Sequence, residues 1–165
     1  MIQTAILTVS DSVANGTRDD RSGANLRARV EALGWAVHVT GVVTDDTPQI
    51  SGRLATWADS GDIDVILTTG GTGIALRDVT PEATLAVIDR EIPGLGELMR
   101  SEGLKATPLA PLSRSLGGTR GRVLIVNFPG SPKGAVESLN AIAHLIPHMV
   151  DLLHGKTEHA PVRNC

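Results

Sequence analysis

The stretch "IDVILTTGGTGIALRDVTPEAT", residues 63–84, carries a strand, a loop and a helix start in succession. "IDVILTT" is a short apolar run rich in β-forming residues, the pattern of a strand buried on both faces. Thr80-Pro81 opens a helix, because proline suits the first helical positions. Between them stand Gly70, Gly71 and Gly73, followed by Arg77-Asp78. A structural turn needs about one glycine. Three in four positions let something approach the backbone.

The same alternation of strand and helix runs along the chain. "TAILTVS" (residues 4–10), "WAVHVTGVV" (35–43) and "RVLIVNF" (122–128) read as further strands, with His38 on a strand surface. A helix is expected from Ser22, with Leu26, Val30 and Leu33 on one face and Gly34 as its stop. Thr47 reads as an N-cap before Pro48, with Ile50, Leu54 and Trp57 as the buried stripe and Gly61 as the end. The helix at Thr80 is expected to bury Leu85, Val87 and Ile88. Further helices are expected at "PGLGELMRSEG" (93–103) and from Ser131-Pro132 to Leu153, the latter interrupted near Pro147. Residues 106–121 read as mostly irregular, with a short strand around 112–115. Such alternation predicts an α/β fold with a mostly parallel sheet between two helical layers. Residues 1–155 are expected to form a single domain, and 156–165 a polar tail.

Composition narrows the function. At 165 residues the chain is the size of one ordinary domain, and 41% hydrophobic residues suffice for a core. Aromatics are 2% and the formal net charge is −3, which argues against a nucleic-acid binder relying on stacking or phosphate attraction. The single cysteine, Cys165, excludes an internal disulfide framework and fits a reducing compartment. There is no signal-peptide pattern and no apolar run of about 20 residues, so a cytoplasmic protein without membrane attachment is expected.

In a doubly wound sheet, ligands sit at the carboxyl ends of the strands. Four loops lie there: "SDS" (10–12), "TDD" (44–46), "GGTGIALRD" (70–78) and "NFPGSPKG" (127–134). Three run into Thr-Pro or Ser-Pro helix starts, whose free N–H groups and partial positive charge attract phosphate. Each such cap alone means only that a helix begins. The glycine spacing fits neither a P-loop nor a dinucleotide fingerprint. Asp45, Asp46 and Asp78 follow strands too; beside a phosphate they call for a bridging cation such as Mg²⁺, or else serve as helix caps. Arg77 and Lys133 could answer negative charge. His144, His148, His154 and His159 lack metal-ligand spacing, and Ser10 and Ser12 lack a nearby His–Asp pair. The residues by themselves indicate a binder of a phosphorylated small molecule.

"TTGGTG…RDVTPEAT" together with "LSR…G…RG…LIVNFPGSPKG" resembles the MogA/MoaB family of molybdenum-cofactor biosynthesis proteins, including the G domains of gephyrin and its plant counterpart. "LTVSDS", "DRSG" and "IPHMVDLL" extend the likeness over nearly the whole chain. The resemblance implies a three-layer α/β domain, commonly trimeric. It implies adenylylation of molybdopterin by Mg²⁺ and ATP, with release of pyrophosphate, ahead of a molybdate-insertion partner. It matches Asp45 and Asp78 to the family's two essential aspartates, the expected catalytic and metal-binding residues. Gly70, Gly71, Thr72, Gly73, Thr80, Pro81 and Glu82 fall on the nucleotide side. Ser113, Arg114, Asn127, Pro129, Gly130, Ser131, Lys133 and Gly134 fall on the pterin side, and Ser10, Asp11 and Ser12 line the same cleft. A catalytically silent pterin carrier and an oligomerising scaffold are the alternatives within this likeness.

Overall fold

The computed structural model describes residues 1–156. The polar tail expected from residue 156 onward lies, beyond Lys156, outside the described residues. Strand β1 (Gln3–Val9) leads through a one-turn helix α1 (Asp11–Ala14) to α2 (Arg21–Ala32), β2 (Ala36–Val43) and α3 (Thr47–Ala58). Then come β3 (Val65–Thr69), α4 (Thr80–Leu85), a two-residue β4 (Arg90–Glu91) and α5 (Pro93–Gly103). A 3₁₀ turn (Ala110–Leu112), β5 (Gly117–Arg120), β6 (Val123–Phe128), α6 (Pro132–Ile142) and α7 (Ile146–Leu153) complete the order.

The six strands form one sheet in the order β2-β1-β3-β6-β5-β4. The first four run parallel, and β5 and β4 continue the sheet antiparallel. Alternate residues of the central strands enter opposite cores, as the period of two requires. Ile6, Val65, Leu67, Leu124, Val126 and Phe128 pack with Leu26, Met99, Leu139 and Ile146 of the helices on one face. Ala5, Leu7, Val9, Ile66 and Ile125 pack with Ile50, Leu54 and Trp57 of α3 and with Ala83 on the other. Burial on both faces explains why these strands read as continuous apolar runs.

Local readings shift in four places. Asp46, not Thr47, caps α3: its carboxylate accepts from the Gln49 amide at 3.1 Å. Asp20 likewise caps α2, which begins at Arg21, one residue before the expected start. Leu85 points outward, 48% exposed, while Val87 and Ala83 supply the buried apolar groups. The short strand expected around 112–115 lies at Gly117–Arg120 instead, and a 3₁₀ turn ends at Leu112. His38 is exposed, as expected.

Strand β1 pairs with β2 on one side and β3 on the other, so the strand order reverses between β1 and β3. That switch point opens a crevice beyond the carboxyl ends of the strands. The loops after β1, β2, β3 and β6 all border it.

Candidate active site

Glycine brings the three central loops together. Gly70 has φ +100°, and a Cβ there would run into the Val9 carbonyl oxygen. A Cβ on Gly130 would lie 3.2 Å from the Gly70 Cα. The Gly70 amide donates to the Phe128 carbonyl at 3.1 Å, and the Thr69 hydroxyl to the Pro129 carbonyl at 2.8 Å. Gly71, at φ +68°, has no room for a Cβ beside the Thr80 hydroxyl. That hydroxyl donates to the Gly70 carbonyl at 2.9 Å, and the Thr80 amide to the Gly71 carbonyl at 3.1 Å. Thr80 therefore closes the loop back onto its start, and α4 begins without a side-chain cap.

The resulting cleft has a volume of about 330 Å³. Asp45, Asp78, Ser10, Gly70, Gly71, Gly130 and Ser131 line it. A Cβ on Gly71 would stand 3.3 Å from Asp45 Oδ1, and one on Gly73 would stand 2.7 Å from Asp78 Oδ2. The loop is thus bare of side chain where the two carboxylates lie. Asp45 Oδ2 accepts from the Asp11 amide at 3.1 Å. Asp78 Oδ2 accepts from the Ala75 amide at 2.9 Å. Each carboxylate commits one oxygen to a backbone amide, and its Oδ1 accepts no hydrogen bond from the described residues. Burial pushes the Asp45 carboxyl above the ordinary carboxylate range; the Asp11 amide and Arg77 oppose this, and the charges of Asp11 and Asp78 add to it.

No group of three or more His, Cys, Asp or Glu residues among the described residues is arranged to hold a metal ion. Two carboxylates with free oxygens suit Mg²⁺, which is usually held by one or two carboxylates plus water and substrate phosphates.

Sequence reasoning missed part of this cleft. Arg18, Asp20, Arg21 and Ser22 line it, and Arg18, Arg21 and Arg77 are exposed cations at its edge. Asp20 Oδ2 accepts from the Thr8 hydroxyl at 2.7 Å, and Oδ1 from the Gly23 amide at 2.9 Å. The "RDDRSG" run was the available signal.

Of the other expected site residues, Asn127 and Lys133 stand apart from the cleft, while Ser10 and Ser131 line it and also cap helices. Asn127 is fully buried; its amide donates to the Thr68 and Thr84 hydroxyls at 3.0 and 2.9 Å, bracing β6 to β3 and α4. Lys133 lies outward, 3.7 Å from Glu137, in a groove with Glu102 and Lys105. Arg114 and Glu82, expected on opposite substrate sides, form one ion pair. Ser113 and Pro129 border a shallower pocket with Thr72, Gly73 and Leu112, adjoining Asp78 and Gly130. Ser131 caps α6, its hydroxyl accepting from the Gly134 amide at 3.0 Å. The Ser10 and Ser12 hydroxyls are 3.1 Å apart, and Ser10 caps α1.

Residues 5–148 match the sequence model of a family described as "Probable molybdopterin binding domain". The chain belongs to this family. A molybdopterin adenylyltransferase of Helicobacter pylori is 40% identical over 156 residues, covering 93% of this chain and 89% of that protein. The molybdopterin adenylyltransferase of Escherichia coli K12 is 37% identical over 171 residues, covering 93% and 86%. Among solved structures, the molybdopterin biosynthesis enzyme MoaB of Thermus thermophilus matches with a TM-score of 0.89 and 49% identity, over 94% of this chain and 98% of that one. The mixed sheet with helices on both sides is the fold of these MoaB/MogA neighbours.

Proposed function

We propose that this chain is a molybdopterin adenylyltransferase of molybdenum-cofactor biosynthesis, acting on molybdopterin with Mg²⁺ and ATP. The observation that carries the reading is the convergence of Asp45 and Asp78 on one cleft whose walls are the glycine loops after β3 and β6. An oxygen of the pterin phosphate bonds to the α-phosphorus of ATP. The bond from that phosphorus to the bridging oxygen breaks, and pyrophosphate leaves with the electron pair.

The amides of Gly71, Thr72 and Gly73 donate to no other described residue, which leaves three N–H groups for phosphate. The cations Arg18, Arg21 and Arg77 meet further negative charge at the rim. Mg²⁺, held by Asp45 and Asp78, would neutralise charge on the reacting phosphates. The residues of the chain supply position and field, which dominate phosphoryl-type transfer. The shallower pocket at Ser113 and Pro129 takes the pterin, next to Asp78. One domain, residues 1–155, carries this activity in the cytoplasm as a homotrimer, and its product passes to a molybdate-insertion enzyme. No helix among the described residues is long and apolar enough to cross a membrane.

The test is incubation of the purified protein with molybdopterin and Mg-ATP. Adenylyl-molybdopterin and pyrophosphate should form in equal amounts. Tight pterin binding without either product would leave a carrier in place of an enzyme.

A further inference from the structure

Four contacts tie the side chain and backbone of Arg114 to the loop that holds Asp78. The Arg114 amide donates to the Thr72 carbonyl at 2.8 Å. Its Nε donates to the Gly73 carbonyl at 2.8 Å, and one terminal nitrogen to the Asp78 carbonyl at 2.6 Å. The other terminal nitrogen pairs with the Glu82 carboxylate on the first turn of α4. One planar guanidinium therefore spans both ends of the segment from Gly73 to Asp78 and the helix that follows it.

The inside of that segment has its own closure. The Asp78 amide donates to the Ala75 carbonyl at 2.9 Å, and the Ala75 amide to Asp78 Oδ2 at 2.9 Å. Ile74 and Leu76 are 71% and 102% exposed, so no apolar packing of these two side chains holds the segment down. Its anchorage comes from Arg114. Arg114 itself is held from behind: Arg100 donates to the Ser113 and Ser115 carbonyls at 3.2 and 2.9 Å, on either side of it.

We propose that Arg114 is a positioning residue that sets Asp78 from the Ser113–Ser115 segment, coupling the wall of the pterin pocket to the nucleotide loop. The proposal rests on the adenylyltransferase reading and changes one assignment within it. Arg114 turns to the loop and not to the pterin: its Nε and both terminal nitrogens donate to the Gly73 and Asp78 carbonyls and to Glu82. The ion pair also holds the Glu82 carboxyl below the ordinary range, so the latch is intact at neutral pH. A lysine cannot replace it, since an ammonium lacks the rigid fork that reaches two carbonyls and a carboxylate together.

The test is a cycle of Arg114→Lys with Asp78→Asn, read by turnover and by hydrogen exchange. Arg114→Lys alone should lower kcat by about 10- to 100-fold with both KM values within about threefold, because it removes an interaction that acts in the transition state. In the Asp78→Asn background the same exchange should cost less than about threefold, since residues acting as a unit are non-additive. The amides of Ala75 and Asp78 should exchange at least about tenfold faster in Arg114→Lys, with the β3 amides unchanged. Glu82→Gln, which leaves the two carbonyl contacts in place, should give a smaller effect in the same direction. An equal loss of kcat in both backgrounds, or a raised KM for molybdopterin at unchanged kcat, would overturn the proposal. If the wild-type protein transfers no adenylyl group, the functional reading fails, and hydrogen exchange alone decides: faster exchange at Ala75 and Asp78 upholds the latch, unchanged exchange refutes it.

Discussion

Asp11 and Asp45 hold each other by their backbones. The Asp45 amide donates to Asp11 Oδ1 at 2.8 Å, and the Asp11 amide donates to Asp45 Oδ2 at 3.1 Å. This reciprocal pair joins the loop after β1 to the loop after β2 across the switch point. It aims the remaining Asp45 oxygen at the glycine loop. Asp11→Ala should lower turnover by about tenfold, as a reacting group slightly misplaced loses rate steeply. Steady-state kinetics with a melting curve will separate this from a loss of folding.

The glycine loops make a contrasting stability prediction. Gly70→Ala meets the Val9 carbonyl in a left-handed backbone and should destabilise by about 2 kcal/mol or more. Gly71→Ala should break the Thr80–Gly70 hydrogen bond as well, so no substitution there tests phosphate binding alone. Gly52→Ala, in the interior of α3 with open space around it, should stabilise by up to about 1 kcal/mol. Thermal unfolding of the three variants checks the order.

Asp59, at the end of α3, receives two hydrogen bonds from Arg120 of β5 at 2.9 and 2.8 Å. Hydrogen bonding to Arg120 lowers the Asp59 pKa. A carboxyl depressed in the folded state adds stability above its unfolded pKa and loses it as pH falls through the folded value. Wild type should therefore melt above Asp59→Asn at pH 7. The gap should close as pH falls through and below the ordinary carboxylate range. A gap that is constant with pH would mean that packing, not charge, carries the contact.

The reach of the sequence reading follows from how local each signal is. Apolar runs and alternation placed β1, β2, β3 and β6, and with them Asp45 in the loop after β2 and Asp78 at the end of the loop after β3, because loops that follow parallel strands gather on one edge of the sheet. Strand β5 was displaced from its expected place because the two glycines of "GGTR" weaken its strand signal. Its glycines are there for packing: a Cβ on Gly117 would lie 2.6 Å from Leu95 Cδ1, and one on Gly118 the same distance from the Arg90 carbonyl oxygen. Asp46 took the cap from Thr47 because the proline after Thr47 fits the second helical position as well as the first. Asn127 and Arg114 were illegible for a different reason. Their partners lie 59 and 43 positions away for Asn127, and 32 to 41 for the Arg114 side chain, so only the assembled sheet defines their roles.

Self-association is a further expectation. Ile74, Leu76, Leu109 and Leu112 are large apolar side chains left more than half exposed, in the segments that precede α4 and β5. Sedimentation should give a species of three times 17.2 kDa. A 17.2 kDa species over a wide concentration range would refute the trimer.

The central claim is that Asp45 and Asp78 together form the reaction centre while Asp46 only starts α3. It is tested most directly by turnover of molybdopterin with Mg-ATP in Asp45→Asn, Asp78→Asn and Asp46→Asn, with pterin affinity measured on the same preparations. Asp45→Asn and Asp78→Asn should each lose about 100-fold or more in kcat while binding molybdopterin normally, since removing one preorganised charge costs on that order. Asp46→Asn should stay within about twofold, because asparagine caps a helix as well as aspartate. Near-normal turnover in both Asp45→Asn and Asp78→Asn, or a severe defect confined to Asp46→Asn, would contradict the account.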